Sequence, residues 1–183
     1  MKGIFITEFV AFAEARFSLQ IADAMLAPQG LPSDGVYTQV GTYDHQELKE
    51  LVRRLSRLSY LSAPQLFREF GQYLYGRMAT QYSRLCARYT DCFDLLTHLH
   101  THIHHEIGKL YPDAETPLLK VERIDADHLI LQYESARGLS DLAEGLISGC
   151  VQHFGEKVDI IRDDDARTPG TRTCFRLTRQ PNP

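Results

Sequence analysis

Hydrophobic positions divide the chain into two parts, and the pattern changes close to Pro112. Before that point apolar residues recur at the spacing of an α-helix. This predicts helices over 3–16, 44–61 and about 90–110, with a further helix starting near Pro64. The helix over 44–61 has the clearest apolar stripe, formed by Leu48, Leu51, Val52, Leu55 and Leu58.

Turn-forming residues mark the beginning of the helix over 44–61. Residues 28–43 are rich in Gly and Pro and are predicted to form a connecting loop with little regular structure. Asp44 follows this loop and is the expected N-cap. Glu47, three positions later, is expected to complete a capping box.

After Pro112, β-branched and alternating apolar segments replace the helical spacing. Strands are predicted over 118–124, 128–135, 157–163 and 171–180. Between the second and third strands, residues 138–155 are amphipathic on a helical period. A helical first half followed by β-β-α-β-β predicts a fold of the α+β class with an antiparallel sheet.

The composition indicates one ordinary globular domain. In 183 residues, 43% are hydrophobic and 24% charged, and the net charge of −4 argues against a basic nucleic-acid-binding surface. No apolar run approaches the roughly 20 residues that span a bilayer, and the N-terminus lacks a signal-peptide pattern. A cytoplasmic protein without membrane or nucleic-acid partners is expected. The cysteines lack CxxC spacing and are interpreted as buried apolar residues: Cys86, Cys92, Cys150 and Cys174.

Histidines are concentrated in the last predicted helix of the first half, where five of the chain's eight lie between positions 98 and 105. Imidazole is the commonest metal ligand among side chains. Winding the segment as a helix assigns three of the five to the solvated face, namely His98, His102 and His105. His100 falls inside the apolar arc and His104 at its edge, so either is a candidate interior ligand or a satisfied core histidine.

A second candidate site lies where the second strand meets the following helix. Tyr133, Ser135 and Arg137 alternate, so on an extended strand they point to the same side. Two hydroxyls and a guanidinium suit a carboxylate or phosphate, although the same pattern also describes an exposed polar face. Paired with an inward histidine, the three suit haem, which has an iron and two propionates.

Several longer segments then identify a resemblance that extends from residue 1 to about residue 161. They are MKGIFITEF, GVYTQVGTYDHQEL, FREFGQYLY, IHHEIGKLYPDAETP and YESARGLSDLAEGLISG, followed by VQHFGEKVDI. In this order they resemble the haem nitric oxide/oxygen-binding (H-NOX) domains, related to the haem domain of soluble guanylate cyclase. The resemblance implies a single domain over 1–183, with a helical N-terminal subdomain (1–62) and a haem-ligating α+β subdomain (63–183) enclosing the haem.

The resemblance also implies the role of individual residues around a haem b. The histidine before HEIGKLYP is the axial ligand of the haem iron, which here is His104. Tyr133, Ser135 and Arg137 are expected to bind the propionates, and Pro117 to pack against the porphyrin and distort it. The remaining residues expected to line the haem pocket are Ile4, Phe5, Phe9, Leu74 and Leu142.

The expected distal side of this pocket has no hydrogen-bond donor. Oxygen-binding members of the family carry a Tyr, a Trp and an Asn at places that here hold Leu142, Phe9 and Leu74. Bound O₂ carries partial negative charge and gains from a donor, whereas NO binds ferrous haem strongly without one, so this pocket is expected to select NO. Tyr73 and Tyr75 are the remaining candidates for a donor.

Some members of the family carry a zinc site of Cys and His ligands near the C-terminus. Here Cys174 matches one such ligand, but Ser140 and residues within IIRDDD occupy the other places. No structural zinc is therefore expected.

Taken together, the resemblance implies a stand-alone bacterial gas sensor and not an enzyme. NO, and also CO, would bind a five-coordinate ferrous haem in a monomer. NO binding would weaken the bond between the iron and His104 and shift the two lobes. The signal would pass to a separate sensor histidine kinase, diguanylate cyclase or phosphodiesterase. One alternative is a thiol-redox or haem-availability sensor acting through the cysteines. Another is a non-haem metal hydrolase built on His98, His102 and Glu106, which lacks a visible third ligand.

Overall fold

A computed structural model of the protein describes residues 1–99 and 116–181. The helices of the first half are α1 (Gly3–Arg16), α2 (Leu19–Met25), α3 (His45–Ser59), α4 (Ala63–Gln81), α5 (Ser83–Cys86) and α6 (Cys92–His98). The second half forms β1 (Leu118–Arg123), β2 (His128–Glu134), α7 (Ser140–His153), β3 (Val158–Asp164) and β4 (Arg172–Arg179). This order confirms the predicted α+β class. None of the described helices is both long and apolar enough to cross a membrane.

The chain separates into two compact units, Met1–Phe70 and Gly71–Pro183. The boundary between them falls inside α4 rather than at its start, so this helix contributes residues to both units. A capping box starts α4, because the Ser62 and Gln65 side chains bond to each other and to each other's backbone N–H groups. The subdomain boundary predicted at 62–63 lies at this cap and stays a prediction.

The first unit packs α1, α2, α3 and the start of α4 around an aromatic and aliphatic core. Phe9 is fully buried, with its ring centroid 5.1 Å from that of Phe70 and 5.9 Å from that of Phe12. Arg54 of α3 donates to the backbone oxygens of Met25, the last residue of α2, and of Ala27 and Gln29 in the following loop.

Two details of α3 differ from the predictions. Asp44 is the N-cap, accepting from the Gln46 N–H at 2.9 Å, but Glu47 does not complete a capping box. Its buried carboxylate instead accepts bonds from Ser33 and from the Tyr37 hydroxyl, because the 28–43 loop folds back over the helix start. Leu58, predicted to be part of the apolar stripe, lies in the last turn and is 39% exposed.

The second unit is built on one antiparallel sheet with the strand order β1-β2-β4-β3. Its inner face carries Leu119, Leu129, Leu131, Tyr133, Phe175 and Leu177. This face forms a single core with residues of α6 and α7, including Phe93, Leu96, Ile147 and Cys150. Because α7 connects β2 to β3, the β2–α7 junction lies at one end of the sheet, and this junction carries Tyr133, Ser135 and Arg137.

Candidate functional site

Tyr133, Ser135 and Arg137, called the triad below, lie at the end of β2 and in the connection to α7. Tyr133 is on the inner face of the sheet and only 6% exposed. Ser135 and Arg137 follow the strand and are half-buried. The triad therefore lies at the edge of the core, with its polar groups in a partly desolvated environment.

The polar groups of the triad converge on the phenol oxygen of Tyr133. Burial raises the pKa of the Tyr133 hydroxyl; hydrogen bonds from Ser135 and the Leu139 N–H, and the charge of Arg137, act in the opposite direction. Because the net shift is upward, the phenol stays protonated and able to donate at neutral pH. The Arg137 backbone N–H also donates to the Ser135 hydroxyl at 3.3 Å.

Backbone bonds hold the connection that carries the triad in one conformation. The Ser135 N–H donates to the Thr171 oxygen at 2.9 Å, which ties the connection to the β3–β4 turn. The Gly138 N–H donates back to the Ser135 oxygen at 3.2 Å, and Gly138 adopts a φ of 60°, in the left-handed region. A residue with a side chain would be strained there, so the tight approach to α7 depends on this glycine.

This donor set matches the chemistry of a carboxylate such as a haem propionate. A guanidinium supplies charge-assisted, bidentate bonds, and neutral hydroxyls beside it add donors without adding charge. Partial burial strengthens these bonds relative to an exposed surface. The described residues at this junction therefore fit a propionate-bearing cofactor.

Of the histidine cluster, only His98 lies within the described residues. It is at the end of α6 with its side chain 41% exposed, and its Nδ1 lies 3.2 Å from Asp94. The predicted solvated position of His98 agrees with this exposure. His100, His102, His104, His105 and Glu106 lie outside the described residues, and so does the predicted continuation of the helix to residue 110.

Charged side chains fix the start of α6, the helix that leads toward the histidine cluster. Asp91 is its N-cap, accepting from the Asp94 N–H at 2.8 Å, and Glu156 accepts from the Cys92 N–H at 2.6 Å. Arg179 of β4 binds both carboxylates, at 2.7 Å each, and lies 4.2 Å above the Phe93 ring. The end of the sheet thus holds the first turn of α6.

The described residues that are expected to line the haem pocket are all apolar. In the first unit, Phe9 is buried and Ile4 and Phe5 are half-buried along α1. In the second unit, Leu74 and Leu142 are 4% and 5% exposed. Pro117 is half-buried just before β1.

The position of Tyr75 does not support a role as a hydrogen-bond donor on the distal side of the expected haem pocket. Its buried hydroxyl lies against the thiol of Cys150 inside the core of the second unit. Because that hydroxyl faces a thiol in the packed core, we assign Tyr75 a packing role rather than a ligand-binding one.

The helices that carry Leu74 and Leu142 approach each other through glycines. A Cβ at Gly71 of α4 would lie 2.5 Å from the Leu142 oxygen, and a Cβ at Gly149 of α7 would lie 2.7 Å from the Tyr75 Cβ. Such distances leave no room for a methyl group. The helix crossing, and with it the placement of Leu142, depends on these glycines.

We expect Gly149→Ala to lower the free energy of unfolding by about 1 to 3 kcal/mol, because the added methyl group overpacks the contact with Tyr75. Gly76→Ala on α4 is the matched control, since a Cβ there meets nothing within 4 Å. It should raise the free energy of unfolding by about 0.5 to 1 kcal/mol through helix propensity. Denaturant unfolding of both variants measures these two changes in the free energy of unfolding. Equal changes in the two variants would contradict the close crossing of the helices.

Residues at the places of the family's zinc ligands take part in an ion-pair network. The Ser140 hydroxyl accepts a bond from Arg162 at 2.7 Å, and Arg162 also binds Asp164. Cys174 is half-buried on the outer face of the sheet. No group of three or more His, Cys, Asp or Glu side chains with metal-binding geometry occurs among the described residues. The absence of zinc stays an expectation.

Two groups beside the triad are not predicted from the sequence, namely the Leu139 N–H, which bonds to the Tyr133 phenol oxygen, and Thr173. The Leu139 N–H is a backbone group, and no side-chain pattern marks it. Thr173 lies directly opposite Tyr133 in the sheet, and this pairing follows only from the register of β2 and β4.

Comparisons with known proteins give a consistent result. The family model described as haem-NO-binding matches residues 2–162. The structure of the Fe(II) unliganded H-NOX protein from K. algicida is 33% identical, with a TM-score of 0.91 covering 100% of this chain and 98% of that one. The Fe(II)NO H-NOX protein from S. oneidensis is 26% identical, with a TM-score of 0.89 covering 99% and 100%. The H-NOX from Shewanella woodyi in the Fe(II)CO state is 36% identical, with a TM-score of 0.83 covering 99% and 95%. No curated protein matched significantly.

Proposed function

We propose that this chain, which belongs to the haem-NO-binding (H-NOX) family, senses nitric oxide at a five-coordinate ferrous haem. Proteins of this family are haem-based gas sensors, and their cofactor is Fe-protoporphyrin IX. In the proposal His104 is the axial ligand and the triad binds the propionates. When bound, the haem supplies an iron to which a diatomic gas binds.

The observation that carries the proposal is the convergence of the triad at the β2–α7 junction. Tyr133, Ser135 and the Leu139 N–H meet within hydrogen-bonding distance, and the charge of Arg137 acts on the same phenol. The phenol remains a neutral donor because burial raises its pKa. Arg137 supplies the positive charge that a propionate requires.

Replacing Arg137 with Met should speed haem release about 10-fold to 100-fold. Removing a charge-assisted hydrogen bond costs about 1.5 to 3 kcal/mol, while Met keeps most of the apolar stem. The measurement is the rate of haem transfer to an excess of an apoglobin acceptor. Arg167→Met, at an exposed position in the β3–β4 turn, is the matched control and should leave the rate unchanged. If haem left both variants at the same rate, the proposal that the triad binds the propionates would be wrong.

Selectivity for NO over O₂ is proposed to follow from the apolar residues Phe9, Leu74 and Leu142. None of these side chains donates a hydrogen bond, so each withholds the interaction that stabilises bound O₂. Their burial supports this role, because water that could substitute for a protein donor is excluded from their surfaces.

The haem-based function is favoured over the thiol alternative by the state of the cysteines. Cys92 and Cys150 are fully buried, and burial raises the pKa of the Cys150 thiol to about 12 and that of Cys92 in the same direction. Burial raises the pKa of the half-buried Cys86 as well. Thiolate is the reactive form of cysteine, so these thiols are poorly suited to fast redox sensing.

Output is proposed to pass to a separate cytoplasmic protein, either a sensor histidine kinase or an enzyme of cyclic-di-GMP metabolism, with this chain acting as a monomer. The free cysteines are in keeping with a reducing compartment. Signalling requires that the partner distinguish the NO-bound protein from the ligand-free one, since a partner that binds both equally shifts no equilibrium.

A further inference from the structure

Arg162 of β3 makes an unusually dense set of bonds for a side chain outside the triad. Its guanidinium donates to Ser140 at 2.7 Å, to Asp141 at 2.6 Å and to Glu144 at 3.0 Å, all in the first turns of α7. On its own strand it binds Asp164 through both Nε and a terminal nitrogen. The side chain is only 20% exposed, so these bonds are partly shielded from water.

The bonds from Arg162 reach the triad along α7. Ser140, which accepts from the guanidinium, is 1% exposed and is the first residue of the helix. The preceding residue is Leu139, whose N–H bonds to the Tyr133 phenol oxygen. The bonds from Arg162 hold the first turn of α7 against the sheet. They therefore fix the position of the Leu139 N–H, which with Ser135 orients the Tyr133 phenol.

A second connection runs across the sheet. Asp164 accepts from the Thr173 hydroxyl at 2.6 Å, and Asp164 and Thr173 are directly opposite in the β3–β4 register. Thr173 is in turn directly opposite Tyr133 in the β2–β4 register and is 5% exposed. The three residues form a row on the inner face of the sheet that ends at the triad.

The charges in this network strengthen its bonds to α7. Asp141 lies in the first turn of α7, where the helix dipole favours negative charge, and Glu144 lies one turn further along. Arg162 therefore binds carboxylates that are already well placed, while its planar fork spans the helix and the strand at once. A single side chain thus bridges α7 and β3.

We infer that Arg162 is a positioning residue for the triad. It fixes the start of α7 and the Asp164–Thr173 pair, and through them the orientation of the Tyr133 phenol toward an anionic ligand. The inference rests on the proposed function, because the ligand it serves is the haem propionate. Arg162 itself is proposed to contact neither the propionate nor the iron.

Two measurements on the haem-loaded protein test the inference. Arg162→Met should speed haem transfer to an apoglobin about 10-fold, consistent with the loss of one net charge-assisted bond. It should also speed hydrogen exchange of the Leu139 amide, while the amide of Leu131 in mid-strand stays protected. Arg176→Met is the matched control, because Arg176 forms an exposed pair with Asp163 on the outer face of the same sheet. It should change neither quantity.

A double-mutant cycle separates positioning from general stability. If Arg162 acts through the phenol, Arg162→Met added to Tyr133→Phe should change haem transfer by less than about 2-fold, because the group it orients is already gone. Full additivity, or an effect of Arg176→Met equal to that of Arg162→Met, would overturn the inference. Failure of Arg137→Met to speed haem release would instead refute the proposed role of the triad in binding the propionates, so the two failures are distinguishable.

Discussion

His104→Ala should abolish the ligation of ferrous haem by the protein, and free imidazole should restore it. Loss of a group that supports a metal ligand costs 10-fold to 100-fold in affinity, so loss of the ligand itself should exceed about 100-fold. Imidazole entering the space left by the side chain supplies the same nitrogen donor. The measurement is the Soret absorbance of the ferrous protein, with and without imidazole.

His100→Ala is the matched control, since His100 is the other histidine that helical winding leaves as a candidate for an interior ligand. It should retain the wild-type spectrum. Recovery by imidazole in His104→Ala would also show that the variant is folded. A normal spectrum for His104→Ala, combined with loss of haem in His100→Ala, would contradict the assignment of the axial ligand.

Leu142→Tyr should give the protein measurable affinity for O₂. Leu142 is 5% exposed in the first turn of α7, and a phenol at this position would add the donor that the apolar residues withhold. A hydrogen bond to a charged partner contributes about 1.5 to 3 kcal/mol, which corresponds to about 10-fold to 100-fold in affinity. The measurement is the absorption spectrum of the ferrous variant titrated with O₂.

Leu142→Phe separates the hydroxyl from the ring. The two variants differ in volume by little more than one oxygen atom, so overpacking of the site affects both alike. Only the Tyr variant should gain O₂ affinity, and NO binding should persist in both. Equal O₂ affinity for the Phe and Tyr variants would show that oxygen exclusion does not depend on a missing donor.

Much of the fold follows from local patterns that the sequence displays directly. The four strands and α7 are found within one or two residues of their predicted positions, because alternation and helical periodicity reflect the burial of one face. The short helices α2 and α5, of 7 and 4 residues, were not predicted, since so few residues define no periodic stripe. The different role of Glu47 depends on a loop that returns from 14 residues away, which local pattern does not reveal.

In the candidate site, too, the local sequence pattern predicts some features, whereas others depend on contacts between residues far apart in the chain. The alternation of Tyr133, Ser135 and Arg137 is visible in the sequence, and the structure brings their polar groups together. Helical winding leaves two of the five histidines as candidates for an interior ligand, and only the family resemblance favours His104. Arg162 cannot be found in this way, because its partners on α7 are 18 to 22 residues away and come close to it only when the helix packs against the sheet.

The most direct test of the account is the absorption spectrum of the ferrous wild-type protein under three conditions: without ligand, with one equivalent of NO, and in air. One bound haem should give a Soret band that shifts on addition of NO. In air, the spectrum should show no stable oxygen complex. A Soret band unchanged by NO, or a stable oxygen complex in air, would contradict the proposal that this protein is a nitric oxide sensor with an apolar distal pocket.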